Sequence, residues 1–259
     1  MLPSEIVKKV EWKDLTQLSF KEMCIENSIT LPWLAASLLL AYFGYYVLVL
    51  PCATFFFLTG LRQVHNGFHR ALGTDSRLTW LCLYGNSILM MASIHAVQYN
   101  HLRHHKYCLG EKDYEGKSAR MKWWQAILYG PMHMFMIHKV ALQYGSPTDK
   151  RNVWIEMVSI VIYSTLIIIF DIRFLMYFSA LMIVGEFLSA FFAVWTVHHD
   201  CGDETIARTQ RKGWKNFITY SMFYHLEHHL FPAVPTIKLP ELARRIDRVV
   251  PELEKKQTF

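Results

Sequence analysis

Charge is missing from Thr30 to Leu61, 32 consecutive positions without an Asp, Glu, Lys or Arg. One helix of that length would run about 48 Å, well beyond the roughly 30 Å hydrocarbon core of a bilayer, so the run must fold back. A disulfide framework is missing as well. The five cysteines, Cys24, Cys52, Cys82, Cys108 and Cys201, are odd in number, none forms a CxxC pair, and Cys52 and Cys82 lie in apolar runs. The first 27 residues lack the n-region and h-region of a secretory signal. Their interleaved Lys8, Lys9, Lys13, Lys21, Glu5, Glu11, Asp14, Glu22 and Glu26 read instead as a cytoplasmic, interfacial amphipathic lead-in. No flavin or nicotinamide fingerprint, fused haem domain, linker or low-complexity tract is visible, and residues 1–259 read as a single domain.

What is present is apolar surface: 53% of 259 residues are hydrophobic and 15% aromatic, unusual for a soluble chain of one-domain size. The net charge of +6 could suggest a nucleic-acid partner, but the positive residues are partitioned by membrane topology, and none is assigned. The expected fold is an all-α membrane protein. About four transmembrane helices form two hairpins, with interfacial or re-entrant helices and a cytoplasmic helical cap.

The first hairpin breaks near Gly44 or Pro51, giving two short or tilted spans, the second of which carries Arg62 to the membrane surface. The second hairpin comprises Met157 to Phe170 and Phe174 to Val197, joined at Asp171, Ile172 and Arg173. Leu78 to Ala96 is long enough to cross, yet its polar Asn86, Ser87 and Ser93 suit a re-entrant or interfacial segment. Ala119 to Tyr144 mixes Trp123, Trp124, Met132 and Phe135 with Lys122, His133, His138 and Lys139, the pattern of an interfacial helix. Of 27 Lys and Arg, only Arg173 falls in an outside turn, which places both termini in the cytoplasm and the chain in an inner or plasma membrane. Glu186 lies within the last run, 12 residues before His198. An intramembrane carboxyl marks a functional position unless it is protonated and bonded to a neighbouring helix. Gly185, Ser189 and Ala193 on the same helix make a close helix contact or leave room for a chain.

Eight of the 13 histidines fall in three short boxes. His65 and His69 form HxxxH, His101, His104 and His105 form HxxHH, and His225, His228 and His229 repeat HxxHH. On a helix, positions i, i+3 and i+4 share a face, so each box can aim imidazoles into one volume. His198 or His199, directly after the last apolar run, could supply a ninth ligand. Eight or nine imidazoles exceed the needs of one tetrahedral ion and point to a pair of metal ions, whose identity the count leaves open among iron, zinc, copper and nickel. His133 and His138 are read as non-ligands.

Together HNGFH, HLRHH and HLEHH resemble the boxes of the integral-membrane fatty acid desaturase superfamily, over about Arg62 to Leu242. The stretch HHKYCLGEKDYEG is similar to the family's second box with its following acidic residue, here Asp113. YHLEHHLFPAVPTIKLPEL is similar to its third box and proline-rich loop, and ARTQR to bacterial members. The resemblance implies that His65, His69, His101, His104, His105, His198, His225, His228 and His229 hold two iron ions. His198 matches the family's additional ligand better than His199. Asp113, Asp200 and Glu227 would accept from distal ring N–H groups, with Glu227 solvent-facing, and Arg208 would likewise support a ligand ring or contact a lipid headgroup.

The implied activity is oxygen-dependent desaturation of a long acyl or hydrocarbon chain. Hydroxylation, ketolation and oxidative decarboxylation are the alternatives within the superfamily, and a non-enzymatic metal carrier or sensor the alternative outside it. Electrons would come from a separate ferredoxin or small haem protein. A basic face of Lys212, Lys215, Arg244, Arg245 and Arg248 would suit an acidic donor.

Overall fold

The computed structural model describes residues 3–202, 205–253 and 255–259. Among them there is no strand, only an isolated bridge between Thr209 and Gln257. Helix α1 (Pro3–Lys9) precedes α2 (Phe20–Ser28), which leads almost without interruption into α3 (Leu31–Tyr42). Then come α4 (Tyr46–Phe68), α5 (Ser76–Met90), α6 (Ile94–Tyr107), α7 (Trp123–Tyr144), α8 (Pro147–Ile169) and α9 (Arg173–Ser189). A π-helical segment, Ala190–Trp195, continues α9 into the short α10 (Thr196–His198). The chain closes with α11 (Gly213–Ile218), α12 (His225–Leu230) and α13 (Leu239–Val249).

Four helical stretches are long and apolar enough to cross a membrane: Phe20–Tyr42, Tyr46–Phe68, Pro147–Ile169 and Arg173–His198. The first three have 23 residues each, about 35 Å of helix. The first hairpin therefore has full-length spans rather than short ones, because α2 and the end of α4 extend it past the uncharged run. The polar residues that make this possible neutralise one another. Glu26, fully buried, takes hydrogen bonds from Arg62 Nε at 3.0 Å, Asn66 Nδ2 at 2.9 Å and the Ile237 amide at 3.1 Å. Glu26 is thus an interior anchor, and the interfacial reading of the first 27 residues is corrected from Phe20 onward.

Both hairpins turn by the same device. Gly44 at φ +79° and Asp171 at φ +47° adopt the left-handed conformation. The next amides, Tyr45 and Ile172, each reach back to a carbonyl five residues earlier at 2.9 Å, on Leu40 and Ile167. This closes the orphan carbonyls of a helix end. Gly44 is the break, and Pro51 stays inside α4.

The α5 to α6 corner bends by 111°, so Leu78 to Ala96 turns back instead of delivering the second box across the bilayer. Met91 takes φ +63° at the bend. Glu156, on α8 and fully buried, locks it: Ser87 Oγ donates at 2.6 Å, Ser93 Oγ at 2.5 Å and the His95 amide at 3.1 Å, and His95 Nδ1 lies 2.5 Å away. Asn100 Nδ2 then ties α6 to the Ile137 carbonyl on α7 at 2.9 Å.

Helix α7 turns Ala126, Gly130, His133, Ile137 and Ala141 inward and leaves Trp123, Leu128, Met132 and Phe135 exposed, as an interfacial helix should. Its crossing with α9 is so close that a Cβ built on Gly130 would sit 1.7 Å from the Phe187 carbonyl oxygen. Gly130→Ala is expected to force the helices apart and cost about 3 kcal/mol. The check is the thermal unfolding midpoint in detergent, and an unchanged midpoint would contradict this packing.

Opposite the hairpin turns, α1, α12 and α13 share an apolar core that includes Ile6, Leu226, Phe231, Leu242 and Ile246. Both terminal regions therefore lie in one cap.

Candidate metal centre

Nine imidazoles converge beneath that cap in two adjoining groups. One contains His65, His69, His101, His105 and His228, the other His104, His198, His225 and His229, and within each group the ligand atoms lie within 4.8 Å of one another. Each HxxHH box is divided between the groups, and helix geometry explains how. Residues i and i+4 are about 40° apart around the axis, whereas i+3 points about 100° away from i+4. His101 and His105 thus act together with His104 turned to the other group, and on α12 His225 and His229 act together with His228 turned away.

The spacing fits metal ligation. Nε2 to Nε2 separations are 3.1 Å for His101 with His69 and with His105, and 2.8 Å for His228 with His105. In the second group they are 2.9 Å for His104–His198 and His225–His198, 3.2 Å for His104–His229 and 3.1 Å for His229–His225. Two nitrogens about 2.1 Å from one ion are roughly 3.0 Å apart at a right angle and roughly 3.4 Å apart in a tetrahedron. The observed pairs are close enough for one ion to hold both nitrogens. His65 gives a second indication, since both of its ring nitrogens are buried without a hydrogen-bond partner among the described residues. Burial and the neighbouring imidazoles hold His225, His228 and His229 well below the usual histidine range, and burial pushes His69 down to about 4. Neutral imidazole is the ligating form.

Distal ring nitrogens are held by acceptors that leave Nε2 free. His104 Nδ1 meets Asp113 Oδ2 at 2.7 Å, His101 Nδ1 meets Glu115 Oε1 at 3.0 Å, and His198 Nδ1 meets the Ile206 carbonyl at 3.0 Å. Burial raises the Asp113 pKa, but the hydrogen bond from His104, with amides from Leu109 and Gly116, brings it to a net lowering. Glu115 is pushed up to about 7 by burial. Sequence reasoning selects Asp113 and passes over Glu115, although both lie in the same HHKYCLGEKDYEG stretch; the 3-10 turn Glu115–Arg120 brings the second carboxylate under His101. Asp113→Asn and Glu115→Gln should each weaken metal binding by about 10- to 100-fold, measurable by competition with a chelator. Unaltered affinity in both would remove their assigned role.

Three expected contacts are corrected. The Asp200 side chain is 81% exposed and pairs with Arg208 at 3.3 Å, not with a histidine ring. Glu227 is fully buried rather than solvent-facing, and accepts from Thr209 Oγ1 at 2.6 Å and Arg211 at 2.5 Å. Arg208 bonds the carbonyls of His199 at 2.6 Å and Gln257 at 2.8 Å, fastening the turn after His198 to the C-terminal tail. Proximity along the chain suggested ring contacts; the fold turned each of these side chains away. His199 stays outside both groups, stacked on Trp195 at 3.9 Å with Nδ1 on the Trp195 carbonyl. His138 bridges the Met134 carbonyl and the Ser93 amide. The basic face is partly neutralised within the chain, since Arg245 pairs with Asp14 at 2.7 Å and Arg244 with Glu241 at 2.7 Å.

A cavity of about 100 Å³ opens beside His65, His101 and His225, walled mainly by Leu58, Val64, Ile94, Val97, Ile137 and Phe192. Ser189 and Ala193 line it, whereas Gly185 serves close packing, with Phe57 within 2.7 Å of a built Cβ. The small-residue stripe therefore packs closely at one end and lines the cavity at the other. Glu186 also lines the cavity, and its Oε1 has no hydrogen-bond partner among the described residues, so it is not bonded to a neighbouring helix through that oxygen.

The fatty acid desaturase family model matches residues 31–258. The chain is also similar to sphingolipid delta(4)-desaturase/C4-monooxygenase of Bos taurus, 24% identical over 190 residues, which are 67% of this chain and 56% of that protein. The match thus spans little more than half of that relative's length.

Proposed function

The chain belongs to the fatty acid desaturase family, and on that premise we propose that it is a di-iron oxidoreductase that desaturates a long hydrocarbon chain of a lipid at the expense of molecular oxygen. The observation that carries this reading is the division of nine histidines into two adjoining groups beside an apolar cavity.

His65, His69, His101, His105 and His228 would hold one iron, and His104, His198, His225 and His229 the other. Iron ions held there would supply the oxidising power needed to break an unactivated C–H bond. Asp113 and Glu115 fix the tautomer and ring angle of His104 and His101 through their Nδ1 atoms. The apolar wall keeps water from the reacting carbon and aligns the chain. Desaturation takes two hydrogens from adjacent carbons; with two electrons and two protons from outside, one oxygen molecule leaves as two waters. The electron donor is a separate ferredoxin or small haem protein, and the cap faces the cytoplasm.

Hydroxylation is the second reading. It is favoured by the relative whose name joins desaturase and monooxygenase, since the two outcomes diverge only after the first hydrogen has been abstracted. Purified, iron-loaded protein with a generic reductase system and candidate lipids tests both. Oxygen consumption coupled to a product lacking two hydrogens supports desaturation, and a product gaining one oxygen supports hydroxylation. Metal uptake without lipid-dependent oxygen consumption would instead return the chain to a carrier or sensor.

A further inference from the structure

The cavity beside the histidines is apolar in all but a few places, and three of those, Glu186, His133 and Ser189, do not belong to the metal centre; the Ser189 hydroxyl is already bonded to the Glu186 carbonyl at 2.6 Å. Glu186 on α9 and His133 on α7 both line it. Each is 5% exposed, and Glu186 Oε1 and His133 Nδ1 have no hydrogen-bond partner among the described residues. They stand on the two helices of the tight α7–α9 crossing: Glu186 adjoins Phe187, whose carbonyl oxygen lies against Gly130, and His133 stands one turn beyond Gly130.

Leaving a buried polar atom unpaired costs about 1–3 kcal/mol, and folded interiors rarely tolerate it twice in one cavity. The partner for both atoms is therefore a group that arrives with the occupant. Its chemistry is set by the walls. An anionic headgroup would face the carboxyl groups of Glu186 and Glu115 among Phe192, Ile137 and Leu58, and an ammonium group only donates. An ester carbonyl only accepts, so it cannot serve an acceptor and a donor together. A hydroxyl does both with one atom. A proton path to the metal centre is less suited to these residues, because Glu186 lies deep in the Arg173–His198 span, 12 residues before the end that meets the cap, and not between the cap and the histidines.

We propose that the cavity selects a long-chain lipid that carries a hydroxyl group on the chain near the position facing the histidines, with Glu186 and His133 as the hydrogen-bonding pair that recognises it. The choice of a lipid chain as occupant rests on the desaturase reading. The hydroxyl is an addition to it: the pair would set which chain is taken and where along the chain it stops.

Equilibrium binding to purified, iron-loaded protein in detergent tests the proposal without turnover. The probes are tritiated octadecanoyl methyl ester and a series of its monohydroxy derivatives, with the hydroxyl moved along the chain. At least one position should bind about tenfold more tightly than the unsubstituted ester, the scale of one net hydrogen bond. Glu186→Leu and His133→Phe should each bring that ratio to within about twofold of unity, and Glu186→Gln, which keeps a donor and an acceptor, should preserve it. A wild-type protein with no preference for any hydroxylated ester, or a preference that survives Glu186→Leu, overturns the proposal. Selective binding without oxygen consumption would defeat the desaturase reading alone, and lipid-dependent turnover without selectivity would defeat this one alone.

Discussion

Glu156→Leu is expected to destabilise the protein by about 3–5 kcal/mol and to strip the second histidine box of its position. The carboxylate accepts from Ser87, Ser93 and the His95 amide, and lies against His95 Nδ1, all without contact with solvent. Leucine removes every acceptor and leaves those donors buried and unpaired, while the 111° corner they hold is what turns α6 back toward α4. Two readouts should move together: the unfolding midpoint falls by roughly 10 °C, and iron retained after purification falls although no ligand has been changed. Glu156→Gln keeps one acceptor oxygen and should show a smaller loss of both. An intact midpoint with full iron content in Glu156→Leu would mean that the corner holds without the carboxylate.

Removing single imidazoles is expected to abolish turnover at His101, His104 or His228, with unequal effects on metal. His104 belongs to the group of four, so His104→Ala leaves three ligands, whereas His101→Ala or His228→Ala leaves four in the other group. His104→Ala should therefore lose more iron, and specifically from one of two sites, while the spans insert as before. Iron stoichiometry after gel filtration, beside oxygen consumption with lipid, measures both. Full activity in any of the three variants would count heavily against the two-group assignment, and equal metal loss in all three would argue that the imidazoles form one undivided site.

Much of this architecture is legible along the chain because its causes are local or one-dimensional. A charge-free run longer than a bilayer must fold back, and Gly44 is where a left-handed residue is cheapest. The spacing of HLRHH and HLEHH commits those imidazoles to adjoining helix faces before any tertiary contact forms. The return of Leu78 to Ala96 is also legible, from the requirement that the boxes meet. The fate of the carboxylates is not. Asp113 and Glu115 stand two residues apart and both serve histidines, yet Asp200, two residues after His198, faces solvent, and Glu227, inside a box, is buried against Arg211. Glu26 and Glu156 gave no local signal, because their partners lie 36 and 61 or more residues away.

By itself, then, the sequence determined the membrane setting, the hairpins and the three histidine boxes, since hydrophobic length and helical period act along the chain. Only the tertiary structure decided which imidazoles share a group, which acids orient them and which polar atoms stand unpaired beside the cavity. Whether a carboxylate is solvated, bonded or buried alone depends on what packs over it, and that is set by segments far away in the chain.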